Sequence, residues 1–372
     1  MTVYLTFNDL PSGIYSGQVI DVIKFIHKTT GVKIKLISFL SLRSYFRNRN
    51  IIKSDLFDSM VIPMFPGIQN WRFNIFLLKI IFWFLKPDKI IGRGILATNL
   101  ALIAKSKKYK VIYDARGAIS AEWKEYSVVA SKRLLKEVDI LEEKALFNSD
   151  FRMLISNQLF EYYRKYFGYK LFNQVIIPCT LSNYFTKPLD SNIRANYRNK
   201  LHYSDSDFIL VYSGSVAGWQ SFDLLEEAIN KIFIQNSNCK VLFLGPINPH
   251  LKHKLSKFNE RITFLNVNAN NVHDYLQACD MGLLLRERSI TNRVASPVKF
   301  AEYLSSGLPV LISENIGDFS NFVLEHNCGI IYNSNDIKVN QKSFSRHQMK
   351  EISNKYFTKE TYLNSYKTII AI

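Results

Sequence analysis

Short apolar runs alternate along the chain with longer segments in which apolar residues recur at helical spacing. This alternation is typical of βαβ units that build parallel sheets. In the first half it predicts strands near residues 2–7, 32–39, 58–63, 88–92, 109–114, 151–155 and 173–177. In the second half it predicts strands at 207–214, 239–245, 261–267, 280–286, 308–313 and 328–332. The fold class is therefore α/β, with two sheets.

The pattern breaks near Pro178–Asp190, without a long flexible linker. A chain of 372 residues also exceeds the usual size of one core. We therefore predict one Rossmann-like domain over residues 1–180 and a second over 181–357, with a last helix over 358–372 that packs back across the junction. We expect the two domains to face each other across a cleft, with ligands at the carboxyl ends of the parallel strands.

Composition excludes disorder and leaves the charge to be explained. Hydrophobic residues make up 47% of the chain, and 48 Lys and Arg face 31 Asp and Glu, for a net charge of +17. Residues 1–180 hold a balance of +13, whereas 181–372 hold only +4. An excess of this size points to nucleic acid, a membrane surface or a phosphorylated substrate. The basic residues form no tail, which favours one face of a folded domain.

One segment raises the question of a membrane. Phe73–Leu85 is strongly apolar, but it has 13 residues and contains Asn74 and Lys79, so it is too short to span a bilayer. A buried helix is the favoured interpretation. The alternative is a helix on the bilayer surface, with basic residues near the headgroups, namely Arg72, Lys79, Lys86 and Lys89.

The amino terminus shows no signal-peptide layout, and the cysteines form no C-x-x-C pair. These features favour a reduced, cytoplasmic chain without a structural zinc site.

The segment Leu283–Ser313 carries the clearest chemical signal. A helix is expected to start with Ser296 as its N-cap and Pro297 as its first residue. Lys299 then lies near the positive end of the helix dipole, where an acidic residue would be expected. Glu302 follows one turn later. With three arginines in the preceding loop, Arg286, Arg288 and Arg293, this helix start predicts a diphosphate site. A solvated basic loop is the alternative.

The stretch SPVKFAEYLSSGLPVLIS, at 296–313, resembles the nucleotide-sugar motif of glycosyltransferase family 4. The resemblance extends to residues 211–229 and 262–285 and, more loosely, to 90–105 and 111–126. Members of that family are retaining enzymes of the GT-B fold. The resemblance implies an acceptor-binding first domain, a donor-binding second domain, and transfer of a sugar from a nucleotide diphosphate to a hydroxyl.

The resemblance also implies roles for individual residues. Glu302 takes the place of the ribose-binding Glu, and Ser296, Pro297 and Lys299 lie near the diphosphate. The base would face Asn266, Val267 and Asn268. The loop opposite the sugar phosphate would contain Gly214, Ser215, Gly218, Trp219 and Gln220. Gly13 and Gly17 would match the glycine-rich turn after the first strand.

Two positions depart from the family pattern. Val294 stands where many members carry a second Glu, and Ser215 and Gln220 stand where many carry Arg and Lys. We infer that Lys299, together with Arg286, Arg288 or Arg293, supplies the missing positive charge. No Asp-x-Asp motif lies in a fitting loop, so we expect no essential metal. Family frequency favours UDP as the nucleotide.

In the first domain, Asp114 and Arg116 follow a predicted strand, and Glu122 comes shortly after them. We expect this group to meet the acceptor hydroxyl and the departing diphosphate, with Asp114 or Glu122 orienting the acceptor. Arg93 is a second basic group at the same edge. The alternative is that Asp114 pairs with Arg116 to organise the loop.

Bacterial relatives build lipid-linked saccharides, such as O-antigen or capsule, at the inner face of the cell membrane. We therefore predict a lipid-linked acceptor and attachment to anionic lipid through residues near 72–89 and 105–110. A nucleotide-sugar 2-epimerase of the same fold is the main alternative. A nucleic-acid-binding protein is less well supported, because no nucleic-acid module is present. The sequence does not indicate the oligomeric state.

Overall fold

The computed structural model describes residues 1–56, 58–105, 109–246, 248–335, 339 and 344–372. The chain divides into two compact units. The first consists of Met1–Pro178 with Lys359–Ile372, and the second of Cys179–Thr358.

Parallel strands form the centre of the first unit. Within the described residues they are β1 (Thr2–Phe7), β2 (Ile34–Leu40), β3 (Ser59–Pro63), β4 (Lys89–Arg93), β5 (Lys110–Ala115), β6 (Phe151–Leu154) and β7 (Gln174–Ile176). They pair in the order β3-β2-β1-β4-β5-β6-β7. The order reverses between β1 and β4, and such a switch point opens a crevice at the carboxyl ends of the strands.

Helices connect these strands: α1 (Gly13–Tyr15), α2 (Asp21–Thr30), α3 (Tyr45–Asp55), α4 (Ile75–Leu85), α5 (Gly94–Ala104), α6 (Ile119–Tyr126), α7 (Lys132–Asn148) and α8 (Asn157–Phe167). A π-helical turn spans Ser16–Ile20, and a 3₁₀ segment spans Ile68–Asn74. Local capping sets several ends. Ser131 and Ser156 accept backbone hydrogen bonds at the starts of α7 and α8, and Gly31 ends α2 in the left-handed conformation.

The second unit has the same plan. Its strands are β8 (Phe208–Ser213), β9 (Cys239–Leu244), β10 (Ile262–Leu265), β11 (Met281–Leu284), β12 (Val310–Ile312) and β13 (Gly329–Ile331). They are parallel, in the order β10-β9-β8-β11-β12-β13, with the switch point between β8 and β11. Two apolar clusters are built from the residues of this sheet and its helices, as expected for a sheet covered on both faces.

The helices of the second unit are α9 (Ser191–Lys200), α10 (Phe222–Gln235), α11 (Pro249–Lys254), α12 (Val272–Gln277), α13 (Ile290–Arg293), α14 (Val298–Ser305), α15 (Phe319–His326) and α16 (Arg346–Phe357). Short 3₁₀ segments span Asn183–Phe185, Gly218–Gln220, Ser256–Arg261 and Ala269–Asn271.

The last two helices of the chain belong to different units. Helix α16 belongs to the second unit, where Met349 and Phe357 join the core. Past a 3₁₀ turn at Glu360–Tyr362, helix α17 (Leu363–Ala371) belongs to the first unit, where Tyr366 and Ile369 are buried. The α/β class with two parallel sheets is confirmed, and each predicted strand appears within about three residues of its expected limits.

Candidate functional site

The switch point of the second sheet brings two chain segments together. The loop after β8 holds Gly214 and Gln220, and the segment after β11 holds Arg286. Because β8 and β11 pair directly, both segments leave the same edge of the sheet. Helix α14, which carries Lys299 and Glu302, begins at that edge. Gly214, Gln220, Arg286 and Glu302 are thereby each linked to Lys299, by close contact or by charge.

Gly214 makes room for Lys299. It has a φ of +150°, and a Cβ at this position would lie 2.7 Å from Nζ of Lys299. Gly245, which follows β9 with a φ of +138°, lies against the backbone of Gly214. A Cβ at Gly245 would lie 2.3 Å from the carbonyl oxygen of Gly214. Only glycine fits at these two turns. The glycines therefore let the loop close over the lysine.

Lys299 is the central group of this site. Its side chain is buried, with 6% exposed. Its Nζ donates a 3.0 Å hydrogen bond to Oε1 of Gln220 and lies 4.1 Å from the ring centroid of Tyr212. Burial lowers the pKa of Lys299 well below its usual value, and the charge of Arg286 adds to this shift while Glu302 opposes it. No carboxylate of the described residues is hydrogen-bonded to Lys299, and a buried ammonium in this situation is suited to an anionic ligand.

Glu302 lies on the same helix face, one turn after Lys299, and it is partly exposed. Burial raises the pKa of Glu302 to about 7, and the ammonium of Lys299 opposes that rise. The carboxyl group therefore exchanges its proton near neutral pH. In its ionised form it can accept two hydrogen bonds, as the hydroxyls of a ribose diol require.

Arg286 is held by the loops around it. Its side chain is buried and donates to Oδ1 of Asn292 at 3.3 Å, and its backbone N–H donates to Oγ of Ser313 at 2.9 Å. The next backbone N–H, of Glu287, donates to Oγ of Ser221 at 2.7 Å. Ser221 has a left-handed φ of 49°. The Ser221 contact joins the loop after β8 to the segment after β11.

The other two arginines of the predicted cluster lie elsewhere. Arg288 is 80% exposed and pairs with Glu314 at 2.9 Å, and Arg293 is exposed at the end of α13. Arg286, Arg288 and Arg293 were offered as alternative partners of Lys299, and the exposure of Arg288 and Arg293 favours the buried Arg286 in that role. Of the three, only Arg286 is electrostatically coupled to Lys299.

The helix start also differs by one residue. Pro297 is the N-cap of α14 and Val298 its first residue, so Lys299 is the second helical residue. Ser296 was predicted as the cap, but its hydroxyl accepts a hydrogen bond from the backbone N–H of Cys179 at 2.9 Å. Ser296 therefore ties the first residue of the second unit to the start of α14.

The remaining predicted donor residues are placed as follows. Asn266 and Asn268 are exposed after β10, with Val267 between them partly buried. In the loop after β8, Ser215 and Gly218 are exposed, and Trp219 is partly buried. The carbonyl of Ser215 accepts a 2.7 Å hydrogen bond from the hydroxyl of Tyr212. Val294 is fully buried, so no carboxylate replaces the absent second Glu there.

In the first unit, Asp114 lies in a buried network at the carboxyl edge of β5. The carboxylate is 1% exposed and accepts a 2.5 Å hydrogen bond from the hydroxyl of Tyr4. It also pairs at 3.4 Å with Arg93 and at 3.4 Å with Arg116. Arg93 in turn donates to Asp9 at 2.7 Å. The burial and the full set of partners favour the alternative role, in which Asp114 organises the loop.

Glu122 and Gly17 complete the predicted residues of this unit. Burial raises the pKa of Glu122 to about 7, and the carboxylates of Glu142 and Glu125 add to the shift. Gly17 was expected in a loop, but it is buried in the π-helical turn Ser16–Ile20, and Gly13 begins α1. The expected glycine-rich loop is helical because the hydroxyl of Ser12 caps α1 by accepting from the backbone N–H of Tyr15.

Some site residues carried no signal in the sequence. Tyr212 contacts Lys299, Ser313 accepts a hydrogen bond from the backbone of Arg286, and Ser221 accepts one from the backbone of Glu287. All three contacts join segments that are distant in the sequence. Glu142, which is fully buried, accepts from the backbone N–H groups of Ile119 and Ser120 at 2.9 and 2.7 Å and so caps α6. A charged residue on the apolar face of an amphipathic helix was the only hint of Glu142.

Helix α4 and the turn before it expose an apolar stripe. Leu78, Ile81 and Phe82 pack inward. The outward positions recur at helical spacing and are apolar, namely Phe73, Phe76, Leu77, Ile80, Trp83 and Phe84. Phe76 and Trp83 are 70% and 71% exposed. The favoured prediction of a buried helix is therefore wrong, since only one face of α4 meets the core. We call these six residues the outer stripe.

The basic residues predicted around this helix divide into two groups. Lys79 and Lys86 are exposed beside the outer stripe. Arg72 pairs with Glu137 at 3.0 Å, and Lys89 is buried, with its Nζ donating to the carbonyl of Ile370. Farther along the chain, Lys105 and Lys110 both pair with Asp150, and residues 106–108 lie outside the described residues.

Neither a membrane-spanning helix nor a metal site is found among the described residues. No described helix combines the length and apolarity needed to cross a bilayer. No group of three or more His, Cys, Asp or Glu side chains comes together as a metal site among the residues that the structure places.

Comparison with known proteins supports a glycosyltransferase. Residues 207–342 match the family described as glycosyl transferases group 1. This region contains β8 to β13 and every donor-site residue named above. No curated protein matches the chain significantly in sequence.

Solved structures resemble the whole chain at low sequence identity. HepE of Anabaena, solved with UDP-glucose, has a TM-score of 0.76 at 13% identity and covers 100% of this chain and 99% of its own. Sucrose-phosphate synthase from Thermosynechococcus elongatus has a TM-score of 0.75 at 13% identity, with 100% and 98% covered.

A putative UDP-N-acetylglucosamine 2-epimerase from Listeria monocytogenes has a TM-score of 0.55 at 11% identity, with 99% and 90% covered. The likeness to these three structures shows the fold, which is GT-B.

Proposed function

We propose that this GT-B chain, whose second unit matches group 1 glycosyl transferases, is a retaining glycosyltransferase of family 4. It moves a sugar from a nucleotide diphosphate to a hydroxyl of a lipid-linked saccharide, in the synthesis of a bacterial surface polysaccharide such as O-antigen or capsule. The observation that carries the proposal is the buried ammonium of Lys299, held by Gln220 and Tyr212 at the switch point of the second sheet.

The donor site has the charges that a nucleotide sugar needs. The diphosphate is bound by Lys299 and Arg286, near the start of α14 where backbone N–H groups point outward. The ribose hydroxyls are bound by Glu302, and the base lies near Asn266–Asn268. Gln220 stands where many relatives carry a cation, and it donates no charge itself but fixes the position of Lys299. One lysine on α14 thereby substitutes for a cation on the loop.

The transfer requires a leaving diphosphate and a positively charged sugar carbon to be stabilised together. The bond from the anomeric carbon to the phosphate oxygen breaks, and the acceptor oxygen bonds to that carbon on the same face. The acceptor proton passes to the leaving phosphate oxygen. Lys299 and Arg286 stabilise the charge that develops on the phosphate, so neither a protein base nor a metal is required.

Thermal-shift screening against UDP-, GDP-, ADP- and CMP-sugars tests the donor assignment. UDP-sugars are expected to raise the melting temperature, consistent with the UDP-glucose bound to the similar HepE structure. The nucleotide sugar that raises the melting temperature is then incubated with the protein, with and without EDTA, and its products are analysed to distinguish transfer from epimerisation. Transfer that persists in EDTA is expected. Epimerised donor formed without any acceptor would instead indicate a 2-epimerase.

Binding of UDP-glucose is expected to weaken as the pH falls below about 7. Burial raises the pKa of Glu302 to about 7 in the free site. Below that pH the carboxyl group is protonated and loses acceptor capacity toward the ribose. UDP-glucose is a suitable probe because its diphosphate is fully esterified and does not titrate in this range. Calorimetry from pH 5.5 to 8 measures the effect.

Glu302→Gln is the matched control for this measurement, since an amide cannot titrate. The variant should bind more weakly at pH 8 and show no loss of affinity toward pH 6. The same pH dependence of affinity in the wild type and in Glu302→Gln, from pH 5.5 to 8, would remove Glu302 from the ribose site.

The acceptor and its membrane are assigned to the first unit. The outer stripe of α4, with Lys79 and Lys86 beside it, has the composition of a helix that lies in a bilayer interface. The balance of +13 over residues 1–180 attracts anionic lipid, at about 1 kcal/mol for each well-placed basic residue. We therefore place the chain in the cytoplasm, attached peripherally to the inner face of the membrane. No nucleic-acid partner is proposed.

A further inference from the structure

A cavity of about 480 Å³ lies at the end of α4, on the edge of the first sheet where the strands begin. Its lining comes from the last turns of α4, from Asp88 before β4, and from Ala104 and Tyr109 around the connection into β5. It is therefore separate from the carboxyl edge that holds Asp114. Its volume falls in the usual range for small-ligand sites.

The floor of this cavity is apolar and rigid. The ring of Tyr109 packs edge-on against Phe82, with ring centroids 5.6 Å apart, and its hydroxyl is used by a 2.9 Å hydrogen bond to the carbonyl of Ala101. Pro87 and Ala104 add further apolar surface. This floor favours a hydrocarbon or glycerol moiety over a free ion.

The rim of the cavity carries the positive charge. Lys79, Trp83 and Lys86 recur at i, i+4 and i+7, so they share one face of α4, with the indole between the two ammonium groups. The two lysine Cα atoms are about 10 Å apart along the helix. Asp88 is acidic, but its carboxylate pairs with the amino-terminal ammonium at 2.8 Å. The cavity therefore presents a net positive rim.

Lys86 adds a backbone observation. It ends α4 in the left-handed conformation, with φ 46° and ψ 57°, and its N–H donates to the carbonyl of Phe82. Glycine is usual at this position, because a residue with a side chain is strained in the left-handed conformation. A lysine therefore stands at the mouth of the cavity in a backbone conformation that glycine usually adopts.

We propose that this cavity binds the phosphate headgroup of an anionic lipid. Lys79 and Lys86 hold the phosphate, and the ring of Trp83 packs against the glycerol and the first acyl carbons. The remainder of the acyl chains would follow the outer stripe, which includes Trp83. This inference rests on the membrane attachment proposed above, and it adds a defined lipid site to a general interfacial surface.

Calorimetry with a monomeric lipid tests the site without a membrane. Dihexanoyl phosphatidylglycerol, below its critical micelle concentration, should bind the full chain at one saturable site. Dihexanoyl phosphatidylcholine should bind at least tenfold more weakly because it has no net negative charge. Inorganic phosphate should also bind at least tenfold more weakly because it has no apolar part. Lys79→Gln/Lys86→Gln should weaken phosphatidylglycerol binding at least tenfold.

Lys132→Gln/Lys136→Gln is the matched control, since these exposed lysines on α7 carry the same charge away from the cavity. It should bind like the wild type. Equal losses in the two double variants would overturn the site in favour of general electrostatics. Equally tight inorganic phosphate would overturn the lipid assignment. Vesicle flotation measures membrane attachment, and donor binding measures the transferase site. A failure of the lipid site can therefore be distinguished from a failure of membrane attachment or of donor binding.

Discussion

Replacing Lys299 with methionine is expected to lower kcat/KM by roughly 10²- to 10³-fold, the usual effect of removing one preorganised donor to a developing negative charge. The ammonium is buried, contacts Tyr212 and Gln220, and has no hydrogen-bonded carboxylate among the residues that the structure places. We therefore expect it to bind the donor diphosphate directly. Steady-state kinetics with the donor found by thermal shift measures the loss.

Methionine is chosen because it fills the same space without charge. The variant removes a buried ammonium, whose desolvation is costly, but leaves Oε1 of Gln220 without its donor. These effects oppose each other, so the melting temperature should stay within about 4 °C of the wild type. A loss of activity at that stability separates a binding role from a folding role.

Lys350→Met is a matched control for this experiment. Lys350 is another buried lysine of the second unit, but its ammonium donates to the carbonyl of Phe185 and the hydroxyl of Ser305, at 2.9 Å each. Its replacement should leave kcat/KM within about threefold. Calorimetric affinities for UDP-glucose that are unchanged in both Lys299→Met and Arg286→Met would refute the diphosphate assignment.

Proton exchange gives a second measurement on the same residue. Burial and Arg286 lower the pKa of Lys299 in the free site, and a bound diphosphate would favour its charged form again. Donor binding should therefore be accompanied by proton uptake in the wild type, at any pH where part of the free Lys299 is neutral. Calorimetry in two buffers of different ionisation enthalpy detects that uptake, and Lys299→Met should abolish it.

Phe76→Ser/Trp83→Ser is expected to reduce partitioning onto phosphatidylglycerol vesicles at least tenfold. Burying such side chains contributes about 1.5–3 kcal/mol each, of which an interfacial helix recovers a part. Both side chains are largely exposed, so their removal should change the free energy of unfolding by less than about 0.5 kcal/mol. Flotation at low salt measures the partitioning.

Ile234→Ser/Leu324→Ser provides the control, since these side chains of the second unit are 83% and 69% exposed. This pair should float like the wild type. A wild-type chain that fails to float would refute membrane attachment. A concentration-dependent dimer that the α4 substitutions disrupt would assign the outer stripe to a second copy of the chain.

The two arginines that pair with Asp114 suggest how this residue acts. Its buried carboxylate pairs with Arg93 and Arg116, so it is a positioning residue for whatever those guanidinium groups bind. The catalytic role predicted for Asp114 stays a prediction that depends on these neighbours. Glu122, with its pKa raised to about 7, is the more accessible carboxyl group of that edge.

The two parallel sheets, the helix that starts beside Lys299 and the position of Glu302 one turn later were all predictable from the amino-acid sequence. These features depend on local patterns: apolar strands, helix punctuation and residue spacing along a helix. They need no knowledge of which distant segments meet. For the same reason, the position of Arg286 at the end of a strand was enough to assign it to the carboxyl edge of the second sheet.

The charges that reach the site and the surfaces that remain exposed could be identified only from the folded chain. Arg288 and Arg286 are two residues apart in the chain, but one pairs with Glu314 in solvent and the other lies beside Lys299. Tyr212 meets Lys299 across 87 residues. The outer stripe of α4 is as apolar as its buried face, so composition could not show which one packs. Burial depends on the neighbours that the fold supplies, and these are set by contacts far apart in sequence.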